Sequence, residues 1–248
     1  MDEVKKVSTG TVAAIIPAGG QGKRFGTGQP KQFMDLVGWP VLAHTLAKFD
    51  QTLAVDLVVV VVPYDQVKDV RRNIVQAYGF SKAEIVVAGG ETRQESVYQG
   101  FLALDEDVDL VVVHDGVRPL VRISVIEAVV AAAREHGAAI AALPVRDTLK
   151  RVANGVVQDT LDRNQLWQAQ TPQAFDRASL AEALAAARRD GFVGTDDAAL
   201  VERLGRPVYV VHGAAENIKI TMPEDLILAE TLIKFESEGL TDARGNGV

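Results

Sequence analysis

Cysteine is absent from this 248-residue sequence, which excludes a disulfide framework or a thiolate metal centre and fits a reducing compartment. Histidine is scarce, and the four imidazoles at 44, 114, 136 and 212 show no zinc-type spacing. Positive charge is in deficit. A net charge of −7 provides no basic surface to neutralise a nucleic-acid backbone, so nucleic acid is not an expected partner. Long apolar runs are missing too: the most hydrophobic stretches, residues 57–62 and 110–113, fall far short of the ~20 residues that span a bilayer. The opening Met1-Asp2-Glu3-Val4-Lys5-Lys6 does not read as a signal peptide. The expected location is the cytoplasm, without membrane contact.

What remains is a composition, 48% hydrophobic and 24% charged, able to bury a large core, at a length that suits one α/β domain. Short Val- and Ile-rich runs at 12–16, 57–62, 84–87, 108–113 and 138–143 read as strands. Between and after them, helical apolar spacing appears at 40–50, 65–78, 92–104, 124–135, 176–189, 195–204 and 223–235. This alternation predicts a three-layer α/β/α sandwich around a Rossmann-like, mostly parallel sheet. Residues 144–171 break the pattern. There, 145–152, Asn154-Gly155 and 156–161 form the pattern of a hairpin with a type I′ turn, which predicts a protruding β-arm. Residues 1–236 are expected to be a single domain and 237–248, with three glycines, a frayed tail.

The first strand runs into Ile16-Pro17-Ala18-Gly19-Gly20-Gln21-Gly22-Lys23-Arg24-Phe25-Gly26, which places backbone free of side chains where α/β sheets bind ligands. It is not a Walker A loop, because Arg24 stands where Ser or Thr is required. Nor is it a dinucleotide fingerprint, because Phe25 takes the place of the third glycine. A plain strand-to-helix turn explains the glycines alone equally well. The cations Lys23, Arg24 and Lys31 in an acidic chain favour a triphosphate, cradled by backbone amides.

With Pro30-Lys31-Gln32 included, this loop resembles the signature of sugar-phosphate nucleotidyltransferases. Within that superfamily the chain is similar to the 2-C-methyl-D-erythritol 4-phosphate cytidylyltransferases, whose landmarks follow in order from Val12 to about Phe235. They are the loop 89–97, beginning Gly89-Gly90-Glu91-Thr92-Arg93, then His114-Asp115-Gly116-Val117-Arg118-Pro119, Arg146-Asp147-Thr148-Leu149-Lys150, and the block 162–173 containing Asp162-Arg163-Asn164, Leu166-Trp167 and Thr171-Pro172-Gln173. Gly194-Thr195-Asp196-Asp197 and the block from Glu216 through Lys219 to Asp225 complete the set.

The resemblance implies transfer of CMP from CTP to the acceptor phosphate, with release of pyrophosphate. It implies catalytic roles for Arg24, Lys31, Arg163 and Lys219, and a nucleotide site from Ala18, Gly19, Gly20, Gly22, Gly90, Ser96 and Asp115. The acceptor would be held by Asp115, Arg118, Thr148, Arg163, Thr171, Thr195 and Lys219. Magnesium is the implied cofactor, carried by the triphosphate and needing few direct protein ligands. The arm implies a homodimer in which Thr148 and Arg163 complete an acceptor site across the interface.

Each block also has a structural explanation. Thr92 suits a helix cap, Thr221 with Glu224 a capping box, Asp115 with Arg118 an ion pair, and Trp167 an apolar anchor. Gly116 stands where relatives carry alanine and is expected to loosen its loop. Two other functions fit part of the pattern. Ribitol-5-phosphate cytidylyltransferases share the Ala18-Gly19-Gly20, His114-Asp115 and Asn217-Ile218-Lys219 blocks, but the Asp162–Trp167 stretch favours methylerythritol phosphate. A non-catalytic nucleotide-binding module would not require Arg24, Lys31, Arg163 and Lys219 together.

Overall fold

The structure, a computed structural model, describes residues 10–20 and 30–237. Among the described residues the first element is β1 (Thr11–Pro17); a short turn at Lys31–Phe33 and a small ribbon, β2 (Asp35–Leu36) and β3 (Trp39–Pro40), precede α1 (Val41–Gln51). Then come β4 (Leu57–Val62), α2 (Val67–Val70), β5 (Ile85–Ala88), α3 (Arg93–Leu102), β6 (Val108–Val113), α4 (Ile123–His136) and β7 (Ala138–Pro144). A hairpin of β8 (Lys150–Ala153) and β9 (Val156–Thr160) follows. The chain returns through β10 (Trp167–Asp176), α5 (Arg177–Asp190), α6 (Ala198–Glu202), β11 (Tyr209–His212) and α7 (Pro223–Ser237).

Seven strands form the central sheet in the order β11-β7-β10-β6-β1-β4-β5. All neighbours pair in parallel except β10, which is antiparallel to both β6 and β7. The valine run of β4 suits this position, because a parallel strand covered on both faces has no solvent side to keep polar. Alternate residues divide between the faces. Val12, Ala14 and Ile16 pack with Leu42 and Phe49 of α1 and Ile126 of α4, whereas Ala13 and Ile15 pack with Val97 of α3, Leu180 of α5 and Leu200 of α6. The three-layer α/β/α sandwich is therefore present, with a mostly parallel sheet.

Four larger elements differ from the sequence expectation. The helix expected over 65–78 is composite: a tight turn at Tyr64–Gln66, α2, and a wider π turn at Arg71–Gln76. The wide turn lets the consecutive residues Ile74 and Val75 both reach the core. The helix expected over 195–204 shortens to α6, leaving Thr195 in a loop. Two strands of the central sheet, β10 and β11, had no counterpart in the expected set, nor did the small ribbon of β2 and β3. β10 is disguised by Gln168, Gln170, Pro172 and Gln173, and a shift in register between Ala169 and Gln173 accommodates the proline. β11 is only four residues long and sits at the sheet edge.

The hairpin turn is as expected. Asn154 and Gly155 have φ of 50° and 77°, and Ala153 pairs with Val156 across them, the geometry that an Asn-Gly type I′ turn provides. The expected tail from 238 onward lies outside the described residues.

Candidate active site

The carboxyl ends of β1, β4, β5 and β6 lie along one edge of the sheet, where the strand order reverses: β4 and β5 lie on one side of β1, and the chain then crosses to β6 on the other. Ligands of open α/β sheets bind at such a switch point. A cleft of about 940 Å³ opens there, walled by Ala18, Gly19 and Gly20 after β1, by Lys31, and by Gly89 to Arg93 after β5. Gly89 and Gly90 are there because the turn folds onto the first turn of α3. A Cβ at Gly89 would lie 2.6 Å from Ser96 Oγ, and one at Gly90 2.4 Å from Glu95 Cβ. Thr92 caps α3 as expected: its hydroxyl accepts from the Glu95 N–H, and its own N–H donates to Glu95 Oε2, both at 3.1 Å. The amino end of α3 thus faces the cleft, a position that favours anions. Gln32 also lines the cleft, buried, with no hydrogen-bond partner for its carboxamide among the described residues.

Asp115 lies two residues beyond β6 and is the electrostatic centre of the site. Its carboxylate binds Arg93 Nε at 2.9 Å, Lys219 Nζ at 2.9 Å and Arg118 Nε at 3.4 Å. Burial pushes this carboxyl up, but Arg93, Lys219 and Arg118 outweigh it and hold the group well below the usual carboxylate range. Arg93 extends the network, its second contact being Asp197 at 2.8 Å. Burial pulls the Arg93 guanidinium down, but Asp197 and Asp115 more than reverse this. Arg93, Arg118 and Lys219 thus gather three cations at this wall, where an incoming anion would meet them, beside the carboxylates of Asp115 and Asp197.

The Asp115 loop is held firmly. Its own N–H donates to Thr171 Oγ1 at 3.1 Å, and Arg118 donates to the Asn217 carbonyl at 2.7 Å. The expected loosening at Gly116 does not occur. Its N–H donates to the Pro17 carbonyl at 3.1 Å and its carbonyl accepts from Thr45 Oγ1 at 3.2 Å. A Cβ at Gly116 would come within 2.9 Å of Ala18 Cβ, so the glycine permits close packing of this loop on β1.

A second cavity, of about 220 Å³, lies behind the same wall, and Arg93, Asp115 and Lys219 face both spaces. Because β10 runs antiparallel, its first half reaches the sheet edge where the parallel strands end, and Gln170 and Thr171 line this cavity with Arg118, Thr195 and Asp196. Gln173 fixes the far side: it donates to Asp196 Oδ2 at 2.8 Å and accepts from the Asp197 and Ala198 N–H groups at 3.2 and 3.1 Å. Asn217, fully buried, donates to the Thr171 carbonyl at 2.8 Å.

The structure therefore brings Ala18, Gly19, Gly20, Lys31, Gly90, Ser96, Asp115 and Lys219 to one cleft, and Arg118, Thr171 and Thr195 to the adjoining cavity with Asp115 and Lys219. Gly22 and Arg24 lie outside the described residues. Thr148 and Arg163 are exposed on the arm and line neither space; Arg163 donates to the Arg146 carbonyl. The capping box expected between Thr221 and Glu224 is not formed; instead Asp225 Oδ2 accepts from the Thr221 N–H and hydroxyl and the Met222 N–H. Sequence reasoning assigned no role to Arg93, Gln173 or Asn217. Their partners are distant in the chain, and only their presence within the 89–97, 162–173 and 216–225 blocks hinted at one.

Comparison with known proteins agrees with this geometry. The family described as IspD, 2-C-methyl-D-erythritol 4-phosphate cytidylyltransferase, matches residues 12–235. The chain is similar to the 2-C-methyl-D-erythritol 4-phosphate cytidylyltransferase of Syntrophus aciditrophicus, with 49% identity over 91% of this chain and 97% of that protein. It is 46% identical to the protein of the same name from Geobacter metallireducens, over 90% of this chain and 97% of the other. Among solved structures it resembles the 4-diphosphocytidyl-2C-methyl-D-erythritol synthase of Anaerococcus prevotii, with a TM-score of 0.80, 33% identity and coverage of 91% of this chain and 99% of that one. With the family match spanning nearly the whole chain, this protein belongs to the 2-C-methyl-D-erythritol 4-phosphate cytidylyltransferase family.

Proposed function

We propose that this protein transfers CMP from CTP to 2-C-methyl-D-erythritol 4-phosphate, with CTP in the large cleft and the acceptor phosphate in the small cavity. The observation that supports this assignment is the shared wall: Arg93, Asp115 and Lys219 line both spaces, so two phosphorylated substrates would lie side by side across these cations. An acceptor phosphate oxygen attacks the α-phosphorus of CTP, the bond from that phosphorus to the bridging oxygen breaks, and pyrophosphate leaves with the bonding electrons. No strong base is required, since a phosphate monoester, with a second pKa of ~6, is largely a dianion at neutral pH. The barrier is repulsion between anions and growth of charge at the α-phosphoryl group.

In this reading Gly19, Gly20, Gly90 and Ser96 hold the nucleotide, Lys31 and Arg24 neutralise the α-phosphoryl group, and Lys219, Arg118, Thr171 and Thr195 hold the acceptor. Asp115 keeps Lys219 and Arg118 oriented. The donor set also suits magnesium carried by the triphosphate. Asp115 is already engaged by Arg93, Lys219 and Arg118, and Glu91 is the other carboxylate lining the cleft. Among the described residues no group of His, Cys, Asp or Glu forms a metal centre. When bound, the ion would shield the charge of the triphosphate and of the departing pyrophosphate.

The arm supports a homodimer. Every residue of β8 and β9 is exposed, including Val152, Val156 and Val157, and a lone two-stranded hairpin is marginal in water. A second copy would cover these valines and present its Thr148 and Arg163 to the acceptor. Residues 1–236 then form one domain, with the arm as its assembly device. No helix among the described residues is long and apolar enough to cross a membrane, and the cysteine-free composition supports a cytoplasmic setting. Measuring pyrophosphate release from CTP and Mg²⁺ with each acceptor tests the assignment. Release with 2-C-methyl-D-erythritol 4-phosphate and little with ribitol 5-phosphate is expected. The reverse preference would assign the other acceptor, and tight CTP binding without release would indicate a binding module.

A further inference from the structure

Gln94, the second residue of α3, reaches across to the segment between α5 and α6. Its Nε2 donates to the Phe192 carbonyl and its Oε1 accepts from the Gly194 N–H, each at 3.0 Å. A carboxamide of this length is the side chain that can donate and accept at once over such a span. The next residue, Thr195, is exposed at the wall of the small cavity, so its position follows from the backbone on either side. On the far side Asp197 is fixed by Gln173 and Arg93. On the near side Gly194 packs without slack, since a Cβ there would stand 2.8 Å from Leu200 Cδ2 and 2.9 Å from the Asp196 carbonyl oxygen. The clasp from Gln94 therefore decides where Thr195 stands.

We infer that Gln94 is a positioning residue for the acceptor. It ties the Thr195 wall of the small cavity to the helix terminus that follows the nucleotide loop, and so fixes the separation of the two substrates. This rests on reading the small cavity as the acceptor pocket. Small displacements of a reacting group are costly in rate, so loosening the clasp damages acceptor use while the cleft, built from other residues, keeps its nucleotide affinity.

The test is steady-state kinetics with each substrate varied. In Gln94→Ala, KM for 2-C-methyl-D-erythritol 4-phosphate rises about tenfold, as for loss of one or two hydrogen bonds, while KM for CTP stays within about twofold. Because Gln94 acts through Thr195, the substitution adds little in a Thr195→Ala background. An unchanged acceptor KM in Gln94→Ala, or full additivity in the double variant, overturns the inference and leaves the acceptor pocket standing. An unchanged acceptor KM in Thr195→Ala removes the pocket assignment and the inference with it. If Gln94→Ala does not fold, Gln94→Glu, which retains the bond from Gly194 and loses the one to Phe192, carries the same test.

Discussion

His114 is fully buried beside Phe49, with ring centroids 5.0 Å apart and its Nε2 3.2 Å from the Arg118 carbonyl oxygen. Burial pushes its imidazole down from 6.5 to about 3. Below pH 6.5 the unfolded chain takes up a proton that the folded chain refuses, so this contribution is full above 6.5 and is lost as pH falls toward 3. Between pH 7 and 5 it amounts to about 2 kcal/mol. Urea denaturation at the two pH values should show that loss, and His114→Asn should flatten it; an equally steep dependence in the variant would point elsewhere, with half-buried His44, also lowered, as the next residue to test. Asp115 gives a second prediction at this scale. Asp115→Ala leaves Arg93, Arg118 and Lys219 facing one another, and breaking a buried ion cluster in this way should cost about 3–5 kcal/mol of stability. A midpoint close to the parent's in the same denaturation assay would mean that water reaches the cluster. Asp115, Arg118 and Lys219 were legible in the sequence because each lies in a compact block with a readable pattern. Arg93 was not, because its function is defined by Asp197, 104 residues away.

The arm was the most legible of the elements, since Asn154-Gly155 carries its turn chemistry locally. β10 was the least, because its glutamines serve a polar network that forms only after Asp196, Asp197 and Ala214 have arrived. Replacing residues 150–160 with a short turn removes the exposed valines while leaving both cavities intact. The shortened protein should sediment as a monomer, still bind CTP, and lose most acceptor turnover together with the Arg163 and Thr148 geometry. A shortened protein that retained full turnover would place the acceptor contacts within a single chain.

For the whole molecule, the alternation of strands and helices revealed the layers, but not the order of the sheet. Order depends on which edge a strand joins, and β10 inserts between β6 and β7 although it follows both in the chain. The proposed assembly through the arm makes a thermodynamic prediction. If folding and dimerisation are coupled, the melting midpoint should rise with protein concentration, by about 1–2 °C per tenfold for a chain of this size. A concentration-independent midpoint, measured by calorimetry over two decades, would separate the arm from global stability.

The late insertion of β10 also bears on how the polypeptide emerges from the ribosome. The four strands β5, β4, β1 and β6 can pair as soon as β6 has been synthesised, but the outer edge of β6 then waits for β10, the strand that covers it. During that interval Leu110, Val111, Val112 and Val113 present an unpaired apolar edge, the kind of surface on which nascent chains aggregate. The same insertion that brings Gln170 and Thr171 to the small cavity therefore leaves one edge of β6 open until residues 167–176 have been synthesised.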